Sequence, residues 1–160
     1  MTGTPPESKA DSVDGISSTL NQLIQTCKDG ENGFRAAAEG VEDPNLRRLF
    51  ESYCQQRAEF AAELQVEVER LGEEPAEEGH AVATLHRSWM NIKSAVTGKD
   101  EGAIITECER GEDFAVQTYD RALRNPLSAD VKDLVERQFL KIREAHDQVR
   151  SLEQVHSRYS

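Results

Sequence analysis

Apolar residues recur along this chain at intervals of three and four, the spacing that lines one face of an α-helix. Val13, Ile16, Leu20, Leu23, Cys27, Phe34 and Ala38 form the first such stripe, and Gly40-Val41 reads as a glycine stop followed by an apolar residue. Asp43-Pro44 predicts the start of a second helix, with aspartate as N-cap and proline in the first turn, where its missing N–H is not needed. The second stripe runs through Leu46, Leu49/Phe50, Tyr53, Phe60, Leu64, Val68 and Leu71, and Gly72 closes it. Gly72–Gly79 (GEEPAEEG) is a polar linker, and a shorter helix follows over His80–Thr97 with Val82, Leu85, Trp89, Ile92 and Val96 on one face. Thr97-Gly98-Lys99-Asp100 ends that helix and caps the next, Ile104–Arg124. Asn125-Pro126-Leu127-Ser128 is a turn with Ser128 as N-cap, and the last helix runs from about Ala129 to beyond Leu152 with Val131, Leu134/Val135, Ile142, Ala145 and Val149 inward. No period-two alternation competes with these helices.

The connections set the expected topology. Short turns join the first two long helices and the last two, so each pair should be an antiparallel hairpin. The stretch from Gly72 to Lys99 is long enough to cross the length of a bundle, and one long crossover between two hairpins is the ferritin-like arrangement. The expected fold is therefore all-α: a ferritin-like four-helix bundle with a short extra helix in the crossover. Residues 1–12, opening on MTGTPPESK, read as a disordered tail, and residues 13–157 as a single domain.

Composition refines this picture without changing it. A chain of 160 residues can bury a continuous core, and 37% apolar with 31% charged residues suits amphipathic helices with wide solvated faces. The formal charge of −11 sets the surface against phosphate backbones, which argues against a nucleic-acid partner. An acidic polar face also argues against membrane-surface binding, and no apolar run reaches the ~20 residues of a transmembrane helix. With no apolar signal segment at the N-terminus, a cytoplasmic location is expected. Cys27, Cys54 and Cys108 are odd in number, lack metal-site spacing and fall on apolar stripes, so they read as core residues.

The stretch Ile104–Arg124 carries the candidate chemistry. Its buried stripe places an acid, Glu112, beside a helix-interior glycine, Gly111, and Cys27-Lys-Asp-Gly30-Glu31 in the first helix echoes Cys108-Glu-Arg-Gly111-Glu112 as C-x-x-G-E. Each glycine costs about 1 kcal/mol against alanine inside a helix, so the two together suggest close helix approach or a π-bulge beside the acid. Glu31 and Glu112 should both turn toward the core at matching depths. Together with CERGED, the segments LHRSWMNIKSAVTGKD (Leu85–Asp100), LNQLIQTCKDGENGF and ERQFLKIREAHDQVRSL resemble a bacterial ferritin-like four-helix-bundle family catalogued as a domain of unknown function. The resemblance covers roughly Ser18–Leu152. It implies a ferritin-like bundle, with some relatives stress-associated, and no assigned reaction.

Di-metal ferritin-like proteins take one Glu from each of two helices and a Glu-x-x-His from each of the other two. Glu31 and Glu112 suit the single-Glu roles, and His146, between Ile142 and Val149, is the well-placed histidine. The second helix of each hairpin breaks the pattern. Gln55, Gln56 and Arg57 occupy the middle of one, and Arg143 precedes His146 by three in the other. The competing reading makes Glu31, Glu112, Arg57, Gln138 and His146 a buried polar network that fixes helix register. No phosphate loop, nucleophile elbow or CxxC is present. The favoured function is a non-catalytic bundle that self-associates or binds a protein partner, with Trp89 and Met90 of the connecting helix as the contact edge. The alternative is a carboxylate bundle with an incomplete ligand set (Glu31, Glu112, His146) holding iron or another divalent metal; no cofactor is assigned.

Overall fold

The structure is a computed structural model and describes residues 9–72 and 89–159. Five helices follow in order: α1 (Lys9–Gly40), α2 (Pro44–Arg70), α3 (Ile92–Thr97), α4 (Glu101–Arg124) and α5 (Ala129–Tyr159), with no strand among the described residues. The first helix begins at Lys9, a turn ahead of the point where its apolar stripe starts. Of the expected middle helix, Ile92–Thr97 is seen, preceded by a turn at Trp89–Asn91. Of the expected tail, residues 1–12, the helix takes in positions 9–12 and residues 1–8 lie outside the described residues, as do the 73–79 linker and the positions of Val82 and Leu85.

The caps are mostly those the sequence announces. Asp43 Oδ1 accepts from the backbone N–H of Asn45 (2.8 Å) and Leu46 (3.4 Å) at the start of α2, with Pro44 as the first helical residue. Asp100 Oδ1 accepts from Ala103 N (3.1 Å) at the start of α4. Gly72 closes α2 with φ 79°, a left-handed conformation that favours glycine. Gly40 differs from expectation: it does not take that conformation, and what it supplies is the absence of a side chain. A Cβ there would press on Val96 Cγ2 and Ile104 Cδ1, so glycine lets α3 and α4 close against the end of α1.

The same contact fixes the topology. The C-terminal end of α1 meets the start of α4, while Asn125, at the end of α4, donates from Nδ2 to Thr19 Oγ1 near the start of α1 (3.2 Å). Thus α1 and α4 are antiparallel, α2 runs parallel to α4, and the end of α2 and the start of α4 lie at opposite ends of the bundle. Two antiparallel hairpins, α1–α2 and α4–α5, laid side by side by one crossover make this a ferritin-like bundle.

Two apolar clusters fill it. One, near the α1 N-terminus, gathers Leu20, Leu23, Leu64, Val68, Tyr119, Val135 and Ile142. The other, toward the α1 C-terminus, gathers Phe34, Phe50, Trp89, Ile92, Ile104, Cys108 and Val149. Trp89 is 2% exposed and enters the second cluster from the crossover. Its indole lies where a Cβ on Gly33 of α1 or Gly111 of α4 would have to be, and its ring meets Phe34 edge-on at 5.2 Å between centroids. The contact edge expected of Trp89 and Met90 is corrected accordingly: Trp89 is core, and Met90, 62% exposed, is the part that faces out.

Candidate functional site

Between the two clusters, at the middle of the bundle, lies an ion pair. Arg57 stands midway along α2 and Glu112 midway along α4, with side chains 1% and 0% exposed. Arg57 Nη1 donates to Glu112 Oε1 (2.5 Å) and Nη2 to Oε2 (2.6 Å), a fork-to-fork geometry that satisfies both carboxylate oxygens at once. The guanidinium lies over the ring of Phe34 at 5.4 Å, and its Nε donates to Gln56 Oε1 (3.3 Å). Burial acts to lower the Arg57 pKa, but Glu112 more than offsets this and holds it above its ordinary value.

The C-x-x-G-E glycines now acquire separate reasons. A Cβ on Gly30 would sit 3.2 Å from Arg57 Nη1 and 3.3 Å from its Cγ, so this glycine makes room for the arginine as it reaches Glu112. Gly111 makes room for Trp89. Helices do not meet backbone to backbone at either place; in each case a large side chain from another element fills the notch.

A second polar relay crosses the N-terminal cluster. Tyr119 donates from Oη to Gln138 Oε1 (2.8 Å), leaving the Cys27 thiol to donate to the Tyr119 oxygen (3.1 Å). Gln138 Nε2 in turn donates to the Phe60 carbonyl (3.3 Å) and to Glu63 Oε1 (3.1 Å). One chain of hydrogen bonds thereby touches α1, α4, α5 and α2. Burial pushes the Cys27 thiol up to about 11 and Tyr119 well above the usual phenol range. Burial likewise raises Cys108 well above the ordinary thiol value. Another buried acid, Glu107, accepts from Asn91 N (3.2 Å) and pairs with Arg110 (3.1 Å), pinning the crossover to α4.

The expected site residues are not gathered in one place. Glu112 is buried as expected, and Arg57 and Gln138 are buried polar groups as the network reading has them. Glu31 departs from the matching depth expected of it: its side chain is 25% exposed and pairs with Arg35, one turn on, at 2.7 Å. His146, 13% exposed, meets Asp113 Oδ1 through Nε2 (2.5 Å) and Asp147 Oδ1 through Nδ1 (3.2 Å). It clamps α5 to α4 near the surface and is not joined to Glu112. Among the described residues no three His, Cys, Asp or Glu side chains come together to hold an ion, so Glu31, Glu112 and His146 are three separate contacts. The donor set does not fit a bridged metal pair. Both oxygens of the one central carboxylate are already paired with Arg57; α2 carries no histidine, and in α5 arginine, Arg143, stands three residues before His146 where a Glu-x-x-His would need its acid.

Sequence reasoning overlooked the Cys27–Tyr119 contact and the buried Glu107. For Trp89 a signal existed: Gly33 and Gly111 leave missing side chains inside two long helices, and the chain has one tryptophan, the broadest side chain available to fill them.

A family described as a domain of unknown function, DUF2383, matches residues 15–125. Among solved structures the fold is similar to a mutant of Dps1 from Mycobacterium smegmatis. The TM-score is 0.70 at 12% identity, over 92% of this chain and 98% of that one. At this identity the likeness concerns the fold alone. No curated protein matches the sequence.

Proposed function

We propose that this chain, which belongs to the family described as a domain of unknown function, DUF2383, is a non-catalytic ferritin-like bundle that acts by associating with copies of itself or with a protein partner. The observation that carries this reading is the Arg57–Glu112 fork. In a carboxylate-bridged metal site the central acids must offer free lone pairs to two hard cations. Here both oxygens of the central acid are taken by a guanidinium, which would repel an incoming ion as well as occupy its ligand. The role left to the centre is to hold α2 against α4 in one register, and any action falls to the surface. The formal charge of −11 supports a protein partner over a nucleic-acid one, and a cytoplasmic setting accords with it. Among the described residues no helix is long and apolar enough to cross a membrane.

The competing reading, a carboxylate bundle holding iron or another divalent metal through Glu31, Glu112 and His146, requires Glu112 to leave Arg57. Elemental analysis of protein purified without chelator decides between them. Metal well below one ion per chain, in the wild type and in Glu112→Gln alike, is the expected result. Stoichiometric metal that disappears in Glu112→Gln would overturn the proposal.

A further inference from the structure

In this bundle α2 and α5 pack far less against one another than α1 packs against α2 or α4 against α5. Gln138 bridges them by reaching from α5 to the Phe60 carbonyl and Glu63, and beside this bridge the seam opens into a hollow of about 380 Å³. Its apolar walls are Phe60, Leu134 and Leu140. Leu140 is 61% exposed, and two other strongly exposed apolar side chains, Val155 (53%) and Val66 (46%), also belong to α5 and α2; the fourth, Met90, is in the crossover. Among the described residues α1 and α4 carry none of this kind. The exposed apolar surface is therefore concentrated on two helices that pack little against one another.

The charges on the same seam point to its occupant. The hollow is rimmed by Glu63 and Glu144 and by Arg137 and Lys141, equal numbers of each sign, on a chain whose formal charge is −11. Two copies of so acidic a chain repel over most of their surfaces, and a charge-balanced apolar patch is where that repulsion is least. A basic partner would gain more from the acidic faces elsewhere. The pattern is also self-complementary. If a second α5 lies antiparallel along the first, with a two-fold axis between Leu140 and Lys141, Arg137 and Glu144 stand equally far on either side of that axis. Each copy then sets its arginine opposite the other's glutamate, as an isologous interface requires. Leu140 covers the aliphatic stem of the opposing Lys141.

We propose that the α2–α5 seam is the docking face for a second copy of this chain, with Leu140 as the central apolar contact and reciprocal Arg137–Glu144 pairs fixing the register. This rests on the associating function proposed above and gives it a surface.

Solution mass by light scattering across a concentration series tests it. The wild type should reach twice the chain mass of 17.9 kDa, and Leu140→Glu should fall to the single-chain value with its helical circular dichroism unchanged. Arg137 and Glu144 are 65% and 69% exposed, so reversing either one alone cannot unfold the bundle. Arg137→Glu and Glu144→Arg should each shift the wild-type association midpoint to at least tenfold higher concentration, and the double reversal should restore it. A wild type that stays at the single-chain mass overturns both this proposal and the self-associating half of the functional reading. An assembly of two or more copies that keeps its size in all these variants overturns the seam alone.

Discussion

Arg57 and Glu112 each lose their water on folding, a penalty of several kcal/mol per ion that only good geometry and complete hydrogen bonding repay. The two short parallel bonds supply that geometry, and Phe34 covers the guanidinium face. Leaving either charge behind without its partner is the costly event. Arg57→Met alone, or Glu112→Leu alone, is expected to destabilise by about 3–5 kcal/mol, while the double variant should lie near or above wild-type stability. Urea denaturation of the four proteins measures the coupling, and additive losses would refute the account. The burial of Glu112 was legible from its place on the Cys108–Ala115 stripe, and Arg57 from the need of a buried acid for a cationic partner. The misplacement of Glu31 has a local cause. Spacing from Cys27 and Phe34 puts Glu31 at the stripe's edge, where rotamer and partner decide its direction, and Arg35 one turn on draws it outward.

At the scale of elements, glycines inside helices separate into kinds that residue spacing alone cannot distinguish. Gly33 and Gly111 back directly onto Trp89, Gly30 onto a flexible arginine, and Gly15 onto nothing within 4 Å. Alanine at Gly33 or Gly111 should cost about 1–3 kcal/mol by overpacking, on the scale of forced insertions into a filled core. Gly30→Ala should cost less, since the Arg57 chain needs to give only a few tenths of an ångström. Gly15→Ala should stabilise by about 0.4–1 kcal/mol, because nothing opposes the gain from restricting the unfolded chain. Chemical denaturation midpoints rank the four, and equal effects at Gly15 and Gly111 would contradict the slot. Caps such as Asp43 and Asp100 were readable because they act on the nearest backbone amides. The slot was not, because its filler arrives from a distant part of the chain.

For the molecule as a whole, topology followed from connection lengths. The breaks at Gly40–Pro44 and Asn125–Ser128 admit only hairpins, and the stretch after Gly72 admits a crossover. Loop lengths do not say which side chains meet, so the four-helix relay through Cys27, Tyr119 and Gln138 stayed hidden. That relay bears on the response to alkali. Burial raises Cys27 from 9.0 to about 11 and Tyr53 from 10.0 to about 12, and Cys108 and Tyr119 move the same way. Groups whose folded values lie above the unfolded ones contribute stability that is complete below the unfolded values and lost as pH climbs through the folded ones. Melting temperature should therefore decline between about pH 9 and 12. Thermal scans in that window test this, and a profile still level at pH 11 would show that these groups are not held neutral by the fold.

The chain has one tryptophan, and it is the residue wedged between α1 and α4. Neither hairpin by itself can hide that indole, because each offers half of the recess. Its fluorescence is thus a built-in clock for the moment the hairpins join. A stopped-flow refolding trace that follows the blue shift, beside one that follows backbone ellipticity, can separate the docking of the two halves from the winding of their helices without any added dye.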